Sequence, residues 1–279
     1  MSVLLRGESG TGKEVTAKTI HKNSNRKDEA FAAVDCGAIP KEIATSEFFG
    51  HLKGSFTGAV EDKIGHFEAA NRGTLFLDEI GNLSYENQVQ LLRALQERKI
   101  KRVGSTKEIE VDVRIIAATN EDLEVAVEEG RFREDLYHRL NEFTISIPPL
   151  RERKEDIKFF AEQFLESANQ ELERNVTLIS QEVMEILENH TWPGNLRELK
   201  NTIKRAVLFA NGDSLVPVNL PREIQDVDAT ATFSKSTFEK ERILQALRKT
   251  NFNKSKAAQL LNITRKTLYN KINQYQLDV

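Results

Sequence analysis

Apolar residues follow two different spacings along the chain, and the change falls near residue 147. Before it, four short apolar runs predict buried strands, at residues 3–5, 31–34, 74–77 and 113–118. Helical stretches lie between them, such as residues 86–96, whose apolar positions recur every three or four residues. Strands that alternate with helices predict a mostly parallel sheet covered on both faces, and therefore an α/β fold.

Beyond Pro148 and Pro149 the spacing is helical only. It predicts helices at residues 156–173 and 195–210, and Ser180 is placed to cap a helix between them. Prolines, acids and small residues predict a linker further on. The expected organisation is an α/β core in residues 1–147, a helical subdomain in 148–216, the linker in 217–236 and an all-α domain in 237–279.

Charge is spread unevenly over these parts. The net charge is −3, but from Thr232 onward there are ten Lys/Arg and three Asp/Glu, while the rest carries 30 Lys/Arg and 40 Asp/Glu. A basic tail on an acidic body favours a polyanionic partner. The single cysteine, Cys36, stands in an apolar stretch and predicts a buried structural thiol in a reducing compartment. With no run of 18 apolar residues and no signal-peptide pattern, we expect a cytoplasmic protein without a membrane partner.

A glycine-rich loop follows the first predicted strand and precedes a helix. Its glycines let backbone N–H groups converge on phosphate oxygens, and the helix N-terminus adds positive potential. Lys13 is placed to reach the β- and γ-phosphates of a nucleoside triphosphate. The candidate binding residues are Gly7, Glu8, Ser9, Gly10, Thr11, Gly12, Lys13 and Glu14.

Two carboxylates follow the strand at residues 74–77. We expect Asp78 to orient magnesium and Glu79 to polarise the attacking water. A Ser or Thr that ligates magnesium usually follows the lysine of such a loop, but Glu14 stands there. Metal binding is therefore expected to depend on Asp78, on Thr11 or on water. The alternative is a pair of solvated acids at the start of a loop.

Three further polar residues are candidates for the same site. Asn120 follows the fourth strand, where it is either a γ-phosphate sensor or a plain turn residue. Arg133 and Arg139 are able to neutralise charge on a transferring phosphoryl group, often from a neighbouring subunit. Surface salt bridging is the simpler account of both arginines.

A glycine-bracketed aromatic segment, called here the 54–59 loop, lies between the phosphate loop and the two carboxylates. A nucleotide site does not require it, and an exposed tip on an NTPase favours a motor that pushes on a partner. Its residues are Gly54, Ser55, Phe56, Thr57, Gly58 and Ala59.

The basic tail has the spacing of a helix-turn-helix, with helices expected at residues 255–261 and 264–275. Leu268 and Ile272 face inward at i, i+4, which leaves a polar face for the major groove of DNA. The candidate DNA-contacting residues are Arg265, Lys266, Thr267, Asn270 and Lys271. The alternative is a solvated basic face.

These motifs together resemble the sigma-54-dependent transcriptional activators of the nitrogen regulatory protein C type, AAA+ ATPases also called bacterial enhancer-binding proteins. The similar segments are GESGTGKE, SEFFGHLKGSFTGA, GTLFLDEI, VDVRIIAATN, FREDLYHRLN, PPLRERKEDI and WPGNLRELKN. The tail NKSKAAQLLNITRKTLYNKINQY is similar to the family's Fis-type helix-turn-helix. The resemblance implies an AAA+ P-loop parallel-sheet core, a helical lid subdomain and a C-terminal all-α helix-turn-helix domain.

The resemblance also implies roles that spacing does not show. Arg133 and Arg139 match the trans-acting arginine fingers, and Arg197 matches the second sensor in the lid, a nucleotide-binding position. The 54–59 loop matches the loop that engages sigma-54, with alanine usual in the family where Ser55 stands. Asp35 matches a position thought to restrain the catalytic glutamate. The implied cofactors are ATP and Mg²⁺, and the implied partners are sigma-54 RNA polymerase, enhancer DNA and further copies of the chain in a hexameric ring that binds DNA as dimers.

Two alternatives to this interpretation stay open, and the first follows from a departure of the sequence from the family pattern. Before Val3 there is no counterpart of the segment that helps to enclose adenine in the family. There is also no counterpart of the regulatory domain that two-component-type response regulators carry. We therefore expect a truncated or shortened activator, and the alternative is a DNA-binding regulator with an inactive ATPase body. A generic AAA+ remodeller of another target is the second alternative, against which the 54–59 loop argues.

Overall fold

The computed structural model describes residues 1–225 together with Thr250, Lys254 and Leu268. The chain divides into two compact units. Unit 1 comprises Met1–Ala161 and Trp192–Asn201, and unit 2 comprises Glu162–Thr191 and Thr202–Val279. The boundaries proposed above for the lid, the linker and the C-terminal domain stay predictions.

Unit 1 is built around a parallel sheet. Its strands in chain order are β1 (Val3–Arg6), β2 (Phe31–Asp35), β3 (Thr74–Asp78), β4 (Lys99–Lys101), β5 (Glu108–Glu110), β6 (Arg114–Thr119) and β7 (Thr144–Ser146). The sheet has the order β2-β3-β6-β1-β7 with every adjacent pair parallel. All four apolar runs form strands as predicted. Because the strands are parallel, the phosphate loop, the two carboxylates and Asn120 all follow strands at one edge.

Both faces of this sheet are buried, and successive residues of a strand serve opposite faces. Leu75 and Leu77 of β3 belong to one core cluster, whereas Phe76 between them belongs to another. In β6, Ile115 and Ile116 divide between the clusters in the same way. This two-sided burial explains why the strands are continuous apolar runs.

Cys36 follows β2 and is buried in the first of these clusters. Burial raises the pKa of its thiol, and the nearby carboxylates of Asp35, Asp78 and Glu79 raise it further. A thiol held neutral in this way is unreactive, so the prediction of a structural cysteine is confirmed.

Helices cover both faces of the sheet. Ala17 contributes to one core cluster and Leu91 to the other. Ser84 caps the helix that carries Leu91 by accepting a hydrogen bond from the Asn87 amide. The helices are α1 (Lys13–Lys22), α2 (Lys41–Phe49), α3 (His66–Ala69), α4 (Tyr85–Glu97), α5 (Leu123–Glu128) and α6 (Glu134–Leu140).

The strands β4 and β5 form a separate antiparallel hairpin. Its turn is joined to the chain after α2 by two backbone hydrogen bonds: Leu52 N–H donates to the Val103 carbonyl at 3.0 Å, and Val103 N–H donates to the Gly50 carbonyl at 2.9 Å. The hairpin therefore borders the 54–59 loop.

Two helices, α7 (Glu155–Leu172) and α9 (Asn195–Phe209), begin in unit 1 and end in unit 2. Unit 2 also contains α8 (Gln181–Asn189), α10 (Arg222–Gln225) and a short parallel pair, β8 (Leu178–Ile179) with β9 (Ser214–Leu215). Ser180 caps α8 as predicted, because its hydroxyl accepts a hydrogen bond from Val183 N–H at 3.3 Å.

The start of the predicted linker is folded. Pro217–Asn219 forms a 3₁₀ turn, and Leu220 and Ile224 are both buried. Leu220 has an extended backbone and Ile224 lies in α10, and the burial of both apolar side chains favours a folded segment over a linker. The remainder, residues 226–236, lies outside the described residues.

The predicted DNA-contacting residues, Arg265, Lys266, Thr267, Asn270 and Lys271, also lie outside the described residues. Leu268 is described, and it is helical and fully buried, as its inward-facing position predicts. Within the described part of the chain, no helix has the length and apolar character that crossing a bilayer requires.

Candidate active site

The phosphate loop connects β1 to α1 with two glycines in left-handed conformations. Gly10 has φ 79° and Gly12, which caps α1, has φ 103°. Only glycine adopts these angles without strain. The loop therefore passes directly into the N-terminus of α1, a kind of position that commonly binds anions. Phosphate binding by the loop stays a prediction.

Lys13 is buried and its ammonium group is held by the loop itself. Its Nζ donates to the carbonyls of Gly7 at 2.7 Å and Glu8 at 3.0 Å. Burial lowers the pKa of Lys13, while the carboxylates of Asp78 and Glu79 act in the opposite direction. Phosphate oxygens are stronger acceptors than carbonyls, so a bound nucleotide is positioned to take over these hydrogen bonds.

Two other loop residues have different surroundings. Thr11 is buried, and its hydroxyl donates to the Glu8 carbonyl at 2.8 Å. Glu14 is exposed and pairs with Lys18 at 2.6 Å along the outer surface of α1. The structure therefore places Thr11 inside the loop and Glu14 on the solvent side of the helix.

The two carboxylates stand directly after β3. Asp78 Oδ1 accepts a hydrogen bond from Glu79 N–H at 3.0 Å. Glu79 itself has φ 51°, a left-handed conformation that is uncommon outside glycine and is often found at functional sites. Lys13 and the two carboxylates interact electrostatically, so the structure brings these three predicted residues together.

Asn82 contacts the catalytic candidate Glu79 directly: its Nδ2 donates to Glu79 Oε2 at 2.8 Å. The Asp35 carboxylate, in contrast, accepts hydrogen bonds from the amides of Gly37 and Ala38 at 2.9 and 3.1 Å. The resemblance implies that Asp35 restrains Glu79, and this role stays a prediction. Sequence reasoning missed Asn82. An amide three residues after the glutamate, in the turn Ile80–Asn82, was the available signal.

Asn120 and Arg197 are the remaining sensor candidates, and they lie in different segments of unit 1. Asn120 follows β6, which lies between β3 and β1, so it stands between the carboxylates and the loop. Arg197 Nη1 donates to the Ser9 hydroxyl at 2.8 Å, and its charge lowers the pKa of Lys13. Their assignment as phosphate sensors stays a prediction.

The two candidate arginine fingers form ion pairs within their own subunit. Arg133 makes two hydrogen bonds to the Asp135 carboxylate, at 2.9 and 2.7 Å, and one to the Tyr85 hydroxyl at 3.0 Å. The hydrogen bonds from Arg133 lower the pKa of Asp135. Arg139 pairs with Glu142 at 2.9 Å, with 43% of its side chain exposed. Arg139 also donates to the Leu95 carbonyl at 3.4 Å, so two side-chain hydrogen bonds hold it, against three for Arg133.

The 54–59 loop is folded back on the body of unit 1. Gly54 N–H donates to the Ala59 carbonyl at 2.8 Å, and Phe56 packs edge-on against the His51 ring at 5.0 Å. Gly54 and Gly58 both have positive φ angles with open space around them. The loop thus begins at Gly54, has Gly58 next to its end, and carries an aromatic tip that is 38% exposed and contacts the His51 ring.

Ser55 is half-buried in this loop, and its buried hydroxyl oxygen has no hydrogen-bond partner among the described residues. Replacing it with the family's alanine removes an unsatisfied polar atom, so we expect Ser55→Ala to raise the free energy of unfolding by about 1 kcal/mol. Urea unfolding measures this change. Ser105→Ala is the matched control, because its hydroxyl accepts a hydrogen bond from Lys107 N–H and its loss does not stabilise. An unchanged or lower stability for Ser55→Ala contradicts the prediction.

Three family models match this chain in succession. The sigma-54 interaction domain matches residues 1–146, the AAA+ ATPase lid domain matches residues 151–237, and the bacterial regulatory protein Fis family matches residues 236–275. These matches confirm the predicted fold class of an AAA+ core with a helical lid and a C-terminal helix-turn-helix.

Sequence alignments with similar proteins extend over almost all of the chain. It is 46% identical over 284 residues to a protein described as limonene hydroxylase from Geobacillus stearothermophilus, and 45% identical over 278 residues to the transcriptional regulatory protein ZraR from Escherichia coli strain K12. The alignments cover 99% and 98% of this chain but only 52% and 63% of those proteins. Since the two names describe different activities, this similarity alone does not identify a reaction.

A similar solved structure is that of NtrX from Brucella abortus in complex with ATP. It has a TM-score of 0.75 and 32% sequence identity, and the match covers 99% of this chain and 64% of that one. Because the sigma-54 interaction domain model covers more than half of the chain, and its motifs are those that form the site above, the chain belongs to the sigma-54 interaction domain family of AAA+ ATPases and transcriptional regulators.

Proposed function

We propose that the chain is a sigma-54-dependent transcriptional activator: it binds enhancer DNA through its Fis-type tail and uses ATP hydrolysis to remodel the closed complex of sigma-54 RNA polymerase. One observation carries the proposal. Unit 1 holds a complete set of nucleotide residues, Lys13, Asp78 and Glu79, together with the 54–59 loop that the sigma-54 family uses. A cytoplasmic location agrees with such a function.

The hydrolytic roles follow from the site. The phosphate loop and Lys13 bind the triphosphate, and Glu79, held by Asn82, accepts a proton from the attacking water. Asn120 and Arg197 act as sensors that contact the γ-phosphate.

Magnesium fits this site with Asp78 as its protein ligand. Mg²⁺ is usually held by one or two carboxylates together with substrate phosphates and water, so a single strand-end aspartate is sufficient. Among the described residues, no group of three or more His, Cys, Asp or Glu side chains forms a separate metal cage. When bound, the ion neutralises charge on the phosphate oxygens.

A ring of subunits, a hexamer, completes the catalytic site. Arg133 and Arg139 stabilise the transferring phosphoryl group from the neighbouring subunit after they leave Asp135 and Glu142. Both in-subunit pairs are partly exposed ion pairs, worth about 0–1 kcal/mol, so their release is a small part of the assembly energy. The tails bind DNA as dimers within this assembly.

The 54–59 loop transmits the nucleotide state to sigma-54. Its glycine ends permit large backbone rotations, and the Phe56 contact with His51 is the packing that lifting must break. Once raised, Phe56 and Thr57 at the tip are free to contact sigma-54.

The experiment that tests this function measures ATP-dependent open-complex formation by sigma-54 RNA polymerase. We expect Phe56→Ala to lower open-complex formation at least about tenfold, because a buried aromatic anchor is worth about 2 kcal/mol or more at an interface, while ATP hydrolysis stays within about threefold of wild type. Phe159→Ala is the matched control, since Phe159 is a more exposed phenylalanine of α7.

The outcomes separate the alternatives. Equal open-complex formation by Phe56→Ala and wild type contradicts the role of the loop. DNA binding without ATP hydrolysis by the wild-type chain favours the regulator with an inactive ATPase body. Hydrolysis without any effect on sigma-54 RNA polymerase favours a generic AAA+ remodeller.

A further inference from the structure

Asn195 is a fully buried polar residue in an unusual conformation. It is the first residue of α9, has φ 51° and is 0% exposed. Asparagine tolerates the left-handed region better than most residues, but a buried amide is stable only when its hydrogen-bonding groups find partners.

Every polar atom of the Asn195 side chain has such a partner, and the partners belong to different segments. Oδ1 accepts a hydrogen bond from Leu150 N–H at 2.7 Å. Nδ2 donates to Glu8 Oε2 and to the Ser9 carbonyl, both at 3.1 Å. One side chain therefore ties the start of α9 to the phosphate loop and to the turn Leu150–Glu152.

These contacts determine the direction of peptide groups in the phosphate loop. Asn195 holds the Ser9 carbonyl, and Leu196 N–H holds the Gly10 carbonyl at 2.9 Å. Because a trans peptide group is planar, an anchored Ser9 carbonyl also fixes the direction of Gly10 N–H. A Cβ on Gly10 would lie 2.4 Å from the Gly194 carbonyl, so the two chain segments are in close backbone contact.

Glu8 requires a hydrogen-bond donor at position 195. It accepts two hydrogen bonds from Arg151, at 2.9 and 2.7 Å, and these lower its pKa, as does the hydrogen bond from Asn195. An ionised carboxylate has only acceptors. The amide of asparagine supplies the donor, whereas an aspartate at the same position places a second negative charge against Glu8.

We propose that Asn195 is a positioning residue for ATP binding, which holds the Glu8–Ser9–Gly10 part of the phosphate loop in the orientation that receives the phosphates. It acts through the loop and does not contact the nucleotide. The proposal rests on nucleotide binding by this loop. Arg197, two residues later in α9, also contacts the loop, because its Nη1 donates to the Ser9 hydroxyl at 2.8 Å.

A double-mutant cycle with the full chain tests this role, and its probe is the fluorescent nucleotide mant-ADP. Asn195→Asp keeps the acceptor for Leu150 N–H but replaces the donor by a negative charge. We expect at least about tenfold weaker binding. In a Glu8→Gln background the glutamine amide donates to the introduced carboxylate, which restores the contact with residue 8 but leaves the Ser9 carbonyl without its donor. There the same change is expected to cause a loss of affinity about threefold smaller than in the wild-type background.

Steady-state ATP hydrolysis gives a second readout, because a merely structural role of Asn195 would not change KM and kcat separately. For Asn195→Asp we expect KM to rise at least about tenfold while kcat falls by less than about threefold, since binding rather than the chemical step is affected. Asn201→Asp is the matched control, because it adds the same charge to an exposed position of α9. Asn195→Gly adds a variant that keeps the left-handed backbone and removes only the side chain.

The outcomes are distinguishable. Equal loss of mant-ADP affinity in the wild-type and Glu8→Gln backgrounds overturns the coupling between the two residues. Wild-type affinity in both Asn195→Asp and Asn195→Gly overturns the proposal but leaves the proposed function intact. If the wild-type chain binds no mant-ADP, the proposed function fails together with it.

Discussion

Glu79→Gln is expected to reduce ATP hydrolysis by at least about 10²-fold while nucleotide binding stays within about threefold of wild type. Loss of a positioned general base typically lowers a rate by about 10²–10⁴-fold. Glutamine has nearly the same shape and still accepts the hydrogen bond that Asn82 donates to Glu79 Oε2. It differs in having no carboxylate to accept a proton from water, so the change isolates the chemical step.

The measurement is the rate of magnesium-dependent ATP hydrolysis at saturating ATP, with mant-ADP affinity measured in parallel. Glu121→Gln is the matched control, because this carboxylate also stands after a strand of the sheet but pairs with Arg131 at 3.0 Å. A Glu79→Gln rate above one tenth of wild type, or an equal loss in Glu121→Gln, contradicts the assignment of Glu79 as the base.

Arg139→Ala is expected to lower hydrolysis by about 10³-fold, the lower end of what an arginine finger contributes. If the arginine acts on the neighbouring subunit's nucleotide, two inactive variants must complement each other. A ring made from equal amounts of Arg139→Ala and Glu79→Gln subunits contains junctions in which an intact glutamate faces an intact arginine. Random mixing in a head-to-tail ring makes about a quarter of the junctions of this kind, so about a quarter of the wild-type rate is expected.

Hydrolysis is measured as a function of the mixing ratio and of total protein concentration. Arg131→Ala is the matched control, because Arg131 is an exposed arginine that pairs with Glu121 and Glu129. The mixture is tested at a protein concentration where the wild-type rate per subunit has reached its plateau. If the two inactive variants remain inactive when mixed, the result contradicts action between subunits. A loss in Arg133→Ala but not in Arg139→Ala assigns the role to Arg133 instead.

The difference between Arg133 and Arg139 shows where sequence reasoning stopped. Both arginines match the same family motif, and the sequence offered no reason to rank them. The structure distinguishes them. Arg133 makes two hydrogen bonds to the Asp135 carboxylate and one to the Tyr85 hydroxyl. Arg139 is the more exposed of the two and pairs with Glu142 through a single nitrogen. The Tyr85 contact spans 48 positions of the chain, which no local pattern encodes.

Asn82 and Asn195 were missed for a related reason. Each is an ordinary polar residue in its local context, and its importance appears only through its hydrogen-bond partners. Asn195 lies 187 positions from Glu8 and 45 from Leu150, so only the folded chain shows that one amide serves both. The strand β7 was missed as well, because its short sequence TIS lacks the apolar run of the other four strands.

The sequence by itself determined the α/β core, the phosphate loop, the strand-end carboxylates and the lid helices, because each depends on residues that are close together in the chain. Side-chain periodicity follows from local backbone geometry, and the loop's function depends on glycines and a lysine that are near neighbours in the sequence. The tertiary structure alone decided which amide holds the phosphate loop and that Arg133 contacts the Tyr85 hydroxyl. Those outcomes depend on hydrogen bonds between distant segments, and hydrogen bonds are short and directional, so they exist only after packing has brought the segments into contact.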